Sequence, residues 1–305
     1  MNQSTGSSLS NQDPLDLLRP ECQTPADAVR WACVLEATAP KAGNVYPGRP
    51  FPDLSHSDFV TAAQLTASAI ESTQALGFAS WVLAAAQSVQ SNCGSNVNLG
   101  ILLLLGPLVE CDRRHSVAHP SDPRTQSIWR DGMASVLTDV TAAESLLVFD
   151  AIRVANPGGM GTTETMDVNS PSPAEPVDLV AAMHLAQRRD RIARQYATGF
   201  SDLLDIVVPV VHDAIIDRGD VLGGIADAHL RLLASEPDSL IERKHGPEIA
   251  KQVRCMAAAV DLQSPSQREE FDRILRGNNE VFSQRCNPGT TADLIAAALY
   301  VLLRT

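Results

Sequence analysis

The chain has 305 residues, of which 44% are hydrophobic and 4% aromatic, and 24 Lys and Arg against 36 Asp and Glu give a net charge of −12. This acidity argues against a nucleic-acid coat protein or a protein that binds anionic membranes, because both need cationic contacts. The scarcity of aromatic rings argues against a base-stacking surface. The six cysteines contain no C-x-x-C pair, which favours a soluble protein of the reducing cytoplasm over a disulfide scaffold or a zinc finger.

The first 20 residues, rich in Ser, Asn and Gln, predict a disordered polar tail that lacks the apolar segment of a secretory signal. Apolar residues then recur at the three- and four-residue spacing of amphipathic helices. Thr24 as an N-cap and Pro25 at the first helical position mark the first of these helices. We therefore predict an all-α fold, with a single compact domain of about ten helices over residues 21–305.

Two apolar runs need separate interpretation. Residues 206–211 are β-branched enough for a buried strand, but they lie within a longer helical stripe, so we predict a helix with a kink at Pro209. Residues 99–109 form the longest apolar run. It is too short to span a bilayer.

Two polar segments follow the first helix. In residues 39–45, Lys41 could reach a phosphate as a point charge, or the segment is a helix stop with Gly43 in the left-handed conformation. In residues 53–59, Asp53, His56 and Asp58 could bind Mg²⁺ or transfer protons. The alternative for Asp58 is to cap the next helix.

Two further segments combine small or polar residues with the start of an apolar helix. Residues 94–100 contain Asn96 and Asn98, and residues 287–294 contain Gly289 and Thr290. A helix N-terminus of this kind presents free N–H groups and suits an anion. Ordinary helix capping is the alternative for both segments.

The last segment, residues 236–247, is rich in charge. Asp238 and Glu242 are four residues apart and share a helical face, where they could hold a metal or act as acid and base. Arg243 and Lys244 suit a polyphosphate. The alternative is that these cations compensate the dipole of a helix that ends before Gly246.

Taken in this order, the five segments resemble the triphosphoribosyl-dephospho-CoA synthase family. The resemblance runs from about residue 24 to the end of the chain. It is most specific at residues 287–294, which are similar to the family's S/N-P-G-x-[ST]-A-D-L ending, and residues 155–161 are also similar to the family.

The resemblance implies an all-α transferase that moves the 5′-triphosphoribosyl group of ATP to the ribose 2′-hydroxyl of 3′-dephospho-CoA and releases adenine. It implies Mg²⁺ as cofactor and small-molecule partners, without nucleic acid or membrane, and it is compatible with a homodimer. The product serves as prosthetic-group precursor for acyl carrier subunits of citrate lyase or malonate decarboxylase.

Within this resemblance, residue chemistry suggests roles for the segments. The candidates for acid, base or charge stabilisation are Asp58, Asp238 and Glu242. The candidates for the metal are Asp53, Asp58 and Asp238. The residues expected to bind the nucleotide and its phosphates are Lys41, Gly43, Asn96, Asn98, Arg243, Lys244, Gly289 and Thr290.

The sequence also departs from the family pattern. Citrate-lyase-associated members have the pattern G-x-N-T-H-K-G at the place of residues 94–100. The Thr, His and Lys of that pattern are replaced in this chain by Val97, Asn98 and Leu99. This form is similar to a subgroup from organisms with tetrahydromethanopterin-dependent metabolism. Two alternatives stay open: a paralogue in tetrahydromethanopterin-type cofactor biosynthesis with another phosphorylated acceptor, and a non-catalytic nucleotide-binding protein.

Overall fold

The computed structural model describes residues 13–73, 76–94, 96–118, 125–156 and 177–305. The described chain is helical, and its only extended pairing is an isolated bridge between Tyr46 and Arg49. In chain order the α-helices are α1 (Pro25–Thr38), α2 (His56–Ser72), α3 (Phe78–Cys93), α4 (Leu99–Ala118), α5 (Gln126–Thr138), α6 (Ala142–Ala155), α7 (Leu179–Ala186), α8 (Arg191–Ala197), α9 (Val208–Arg218), α10 (Val221–Ser235), α11 (Ser239–His245), α12 (Pro247–Ala259), α13 (Pro265–Leu275) and α14 (Gly289–Arg304).

The all-α prediction is confirmed, but the described residues form fourteen α-helices rather than about ten. Three of the additional helices, α7, α8 and α11, are only seven or eight residues long. Each begins after an aspartate whose carboxylate accepts backbone N–H groups, namely Asp178, Asp190 and Asp238. Helices of two turns are shorter than the window in which apolar periodicity is recognisable.

Helix α14 is the centre of the fold. It packs against α1, α4 and α9, and all of its residues are buried except Gly289 and Asp293. A helix that is apolar on all sides is stable only when other helices surround it. A second, smaller apolar cluster lies among α10 to α13 and includes Leu233, Val253 and Phe271.

The chain is ordered earlier than expected. Residues 13–20, which we assigned to a disordered tail, form 3₁₀ turns at Pro14–Leu17 and Arg19–Glu21. Leu15 is fully buried in the main core, and the Arg19 side chain donates to the carbonyl of Leu302 (3.2 Å). These contacts with α14 hold the segment in place.

The helical interpretation of residues 206–211 is confirmed. A π-helical turn, Leu203–Val207, leads directly into α9, and Pro209 is the second residue of that helix. Proline has no N–H group to donate, which favours a change of helical geometry just before it.

The most apolar stretch of the sequence lies in α4, where Leu104, Leu105 and Leu108 are fully buried. In the described part of the chain, no single helix is long and apolar enough to cross a membrane. Helices α5 and α6 would meet that test only as a pair bent by 98°.

Candidate functional site

The five polar segments meet around one cavity of about 700 Å³. Each segment contributes residues to its wall. In chain order these are Asn44, Val45, Asp53, Leu54, Phe59, Asn96 to Gly100, Leu240, Glu242, Arg243, Lys244, Asn287, Gly289, Thr290, Ala292 and Asp293. Side chains that are more than 200 residues apart in sequence thus face the same space. A large concave site with a few converging polar groups is the usual form of a small-molecule site.

The first turns of α4 and α14 lie in the wall of this cavity. Gly100 and Ile101 of α4 and Gly289 and Thr290 of α14 line its wall. Asn96 lines the cavity as well, and its Oδ1 accepts the N–H of Leu99, the first residue of α4 (3.0 Å). The first N–H groups of a helix have no partner within the helix, and its dipole favours negative charge there.

Four cations stand around the polar part of the cavity: Arg189, Arg243, Lys244 and Arg285. Arg285 pairs with Asp53 (2.8 Å) and lies 4.0 Å from the centre of the Phe51 ring. The pKa of Lys244 is lowered, chiefly by partial desolvation and also by the positive charges of Arg285 and Arg243. This repulsion between like charges favours the binding of an anion among them.

Some polar atoms in the wall have no partner among the described residues. Arg243 donates one N–H group to Asp190 (2.8 Å), but its buried Nε has no acceptor. Asn44 donates to Asn287 Oδ1 (2.8 Å), while its own Oδ1 is buried without a donor. A buried group left unpaired carries a desolvation cost that a ligand can relieve.

The inner wall of the cavity carries two carboxyl groups, Glu36 of α1 and Asp293 of α14. Glu36 is buried and pairs with Lys41 (2.9 Å). Burial raises the pKa of Asp293 well above its usual range, and the negative charge of Glu36 raises it further. Asp293 is not among the site residues predicted from the sequence. The available signal was an acid near the start of an otherwise apolar helix, which dipole compensation explained equally well.

Eight of the predicted site residues line the cavity: Asp53, Asn96, Asn98, Glu242, Arg243, Lys244, Gly289 and Thr290. Asn98 also donates to the buried Thr66 hydroxyl (3.1 Å), and Thr290 accepts from Ser239 (3.0 Å). Glu242 makes no side-chain hydrogen bond with any described residue. Four other predicted residues lie outside the wall.

Lys41 and Gly43 have structural positions, contrary to their predicted part in ligand binding. Lys41 is fully buried, and its ammonium group contacts both the carboxylate and the carbonyl oxygen of Glu36. Gly43 has φ of +76°, the left-handed conformation of a helix stop, and its N–H donates to Asp272 (2.8 Å). Neither residue is among those that line the cavity, and the ammonium group of Lys41 is already paired with Glu36.

Asp58 and Asp238 belong to helix caps. The Asp58 carboxylate accepts the N–H and the hydroxyl of Ser55 (both 2.7 Å). Asp238 accepts the N–H groups of Leu240 and Ile241 and both the N–H and the hydroxyl of Thr291. Its burial raises its pKa despite these hydrogen bonds.

The candidate metal ligands Asp53, Asp58 and Asp238 do not come together as a group of three. No group of three or more His, Cys, Asp or Glu side chains in the described ranges is arranged to hold a metal ion. Asp53 is engaged by Arg285, whose hydrogen bond lowers the pKa of that carboxyl. The other two carboxylates are engaged by the caps of α2 and α11.

Comparison with known proteins identifies the family. The family model CitG, described as ATP:dephospho-CoA triphosphoribosyl transferase, matches residues 22–305. No curated protein and no solved structure matches the chain. The match includes every residue in the wall of the cavity, and residues 157–161 of the other family-like segment lie outside the described ranges. This chain belongs to the ATP:dephospho-CoA triphosphoribosyl transferase family, whose name specifies ATP and dephospho-CoA as substrates.

Proposed function

We propose that the protein transfers the 5′-triphosphoribosyl group from ATP to the ribose 2′-hydroxyl of 3′-dephospho-CoA and releases adenine. The observation that carries this proposal is one cavity whose wall contains four cations together with the carboxyl groups of Glu36 and Asp293. Breaking an N-glycosidic bond develops positive charge on the sugar, which carboxylates stabilise. The triphosphate stays on the transferred sugar and needs cations throughout.

We assign the phosphates to the cations of the wall, which are Arg243 and Lys244 of α11 together with Arg189 and Arg285. The cavity continues between α6, α7 and α8 as an apolar part that includes Phe149, Ile152, Leu179, Met183 and Ile192. An acceptor with a long, weakly polar arm such as that of dephospho-CoA suits this part, because Met side chains adapt to irregular apolar shapes.

The described residues do not fit a Mg²⁺ site built by the protein alone, since no three of their His, Cys, Asp and Glu side chains are grouped to hold a metal ion. Mg²⁺ commonly binds through substrate phosphates and keeps several waters. In this proposal Mg²⁺ therefore arrives with the triphosphate as part of the substrate.

The contribution of the cations can be measured by binding. Replacing Arg243 and Lys244 together by Ala should weaken ATP binding by well over tenfold, because each charge-assisted hydrogen bond contributes about 1.5–3 kcal/mol. The matched control replaces Lys251 and Arg254 of α12, which lie outside the cavity, and should leave the affinity unchanged. Unchanged ATP affinity in a folded Arg243/Lys244 variant would leave only dipole compensation for these residues.

The reaction itself is tested by adenine release from ATP with Mg²⁺, in the presence and absence of dephospho-CoA. We expect adenine only when dephospho-CoA is present, together with a product that carries the triphosphoribosyl group. ATP binding without adenine release would contradict the proposed acceptor.

A second candidate function has a specific observation in its favour. Residues 97–99, which line the cavity, supply no hydroxyl, imidazole or cation where other members have Thr, His and Lys. Leu99 is buried, and the Asn98 amide donates to Thr66. An altered wall of this kind suits another phosphorylated acceptor, such as a precursor of a tetrahydromethanopterin-type cofactor. The same assay with such acceptors in place of dephospho-CoA distinguishes the two.

A further inference from the structure

We propose that Asp293 is the catalytic acid of this site and gives its proton to the departing adenine, while Glu242 takes the proton of the attacking hydroxyl. This inference rests on the proposed transfer reaction. It assigns roles to the two carboxyl groups in the cavity wall that no other described side chain engages by a hydrogen bond or an ion pair.

Asp293 is placed where its carboxyl group can contact a ligand in the cavity. It lies in the first turn of α14, where its neighbours Ala292 and Leu294 are buried while Asp293 keeps partial access to the cavity. Its carboxylate lies against the backbone of Gly100 at the start of α4: a Cβ added to that glycine would lie 2.0 Å from Asp293 Oδ2. Only a glycine leaves room for the carboxyl group at this place.

The charges around Asp293 come from three other elements. Glu36 and the Cys33 thiol lie on α1, Asp190 precedes α8, and Asp238 and Arg243 belong to the α11 region. The three neighbouring carboxylates accept hydrogen bonds or form ion pairs. Glu36 pairs with Lys41, Asp190 pairs with Arg243, and Asp238 accepts the hydrogen bonds of the α11 cap and of Thr291.

The surroundings of Asp293 favour the protonated form of its carboxyl group. Burial is the first cause of the raised pKa of Asp293, followed by Glu36, Asp238 and Asp190, while Arg243 opposes it. An acid and a base in one active site are often two carboxyl groups in different environments. In this proposal they are Asp293 and Glu242. Glu242 is partly exposed, and its chain neighbours Arg243 and Lys244 also line the cavity.

The reaction balances with these two groups. The C1′–N9 bond breaks, its electron pair goes to adenine, and the Asp293 proton goes to a ring nitrogen of the purine. The 2′-oxygen of the acceptor forms the new bond to C1′, and its proton passes to the Glu242 carboxylate. Both side chains then exchange protons with water to restore the starting state.

The test compares two leaving groups in Asp293→Asn. With ATP, we expect adenine release to fall 10²- to 10⁴-fold, the range typical of general acid catalysis. With 7-methyl-ATP, whose purine already carries a positive charge and leaves without a proton, we expect the variant to lose less than about tenfold relative to the wild type. A sample without enzyme gives the spontaneous loss of 7-methyladenine.

An equal loss with both nucleotides would overturn the acid role and leave a positioning role. The matched control, Asp213→Asn on the exposed surface of α9, should retain wild-type rates with both. The Asp293→Asn variant should melt no lower than the wild type at pH 8, because the buried group then need not ionise.

Infrared difference spectra of the wild type and Asp293→Asn give a readout that does not depend on turnover. At pH 7 we expect a protonated carboxyl band in the wild type that the variant lacks. Its absence would overturn the proposal even in an active enzyme. Wild-type protein that shows the band but releases no adenine with dephospho-CoA would contradict the proposed function instead.

Discussion

Replacing Lys41 by Met is expected to lower the free energy of unfolding by about 3–5 kcal/mol, the usual effect of removing one partner from a buried ion pair. Lys41 is fully buried, and its ammonium group lies 2.9 Å from a carboxylate oxygen of Glu36. Without it, the Glu36 carboxylate would remain uncompensated beside Asp293. The nearby His229 is not expected to replace the cation, because burial is the largest cause of its low pKa of about 3 and remains in the variant.

Urea unfolding of three variants checks this expectation. Lys251→Met removes an exposed lysine of α12 that pairs with Glu248, and should change stability by less than about 1 kcal/mol. The double variant Glu36→Gln/Lys41→Met should recover part of the loss, since neither charge then stays buried alone. If the Lys41→Met protein had wild-type stability and weak ATP binding, the result would instead support the predicted contact between Lys41 and a phosphate.

The second large effect is expected at Asp238. Replacing it by Ala removes the acceptor of four hydrogen bonds, two from the start of α11 and two from Thr291 of α14. Each buried donor left unsatisfied costs about 1–3 kcal/mol. We expect the free energy of unfolding to fall by at least about 3 kcal/mol, and the cations of α11 to lose their fixed position relative to α14.

A helix cap on the surface provides the comparison for Asp238→Ala. Asp220 caps α10 and accepts only the N–H of Gly223, so Asp220→Ala should cost about 1 kcal/mol. Unfolding curves and ATP binding measured on the same samples separate the two contributions. Asp238→Asn separates the two roles. If this variant kept wild-type stability while its rate of adenine release fell more than about 100-fold, the result would support a catalytic role of Asp238 instead of a structural one.

Local signals in the sequence were sufficient for the elements that local interactions specify. Thr24 caps α1 and Pro25 is its first residue, as predicted, because capping and proline geometry depend on neighbours within one turn. The helical stripe through residues 206–211 was correctly interpreted for the same reason. The two-turn helices were not resolved, since their caps are specific but their apolar pattern is too short.

Burial was the quantity that the sequence could not supply. Lys41 and Arg243 have the same sign of charge and both lie next to helix ends, yet the first is enclosed with Glu36 and the second faces the cavity. The difference arises because segment 39–45 packs onto α13, where Gly43 donates to Asp272. No spacing rule within one segment contains that information.

The sequence by itself determined the helical class, the main caps, the family and the five segments that carry the site. The tertiary structure alone decided which side chains of those segments face one another: it enclosed Lys41, used Asp238 as a cap and left Asp293 in the cavity wall without a partner among the described side chains. Periodicity and capping are properties of a few consecutive residues. A side chain's protonation and access to a ligand depend instead on charges and surfaces brought by distant helices.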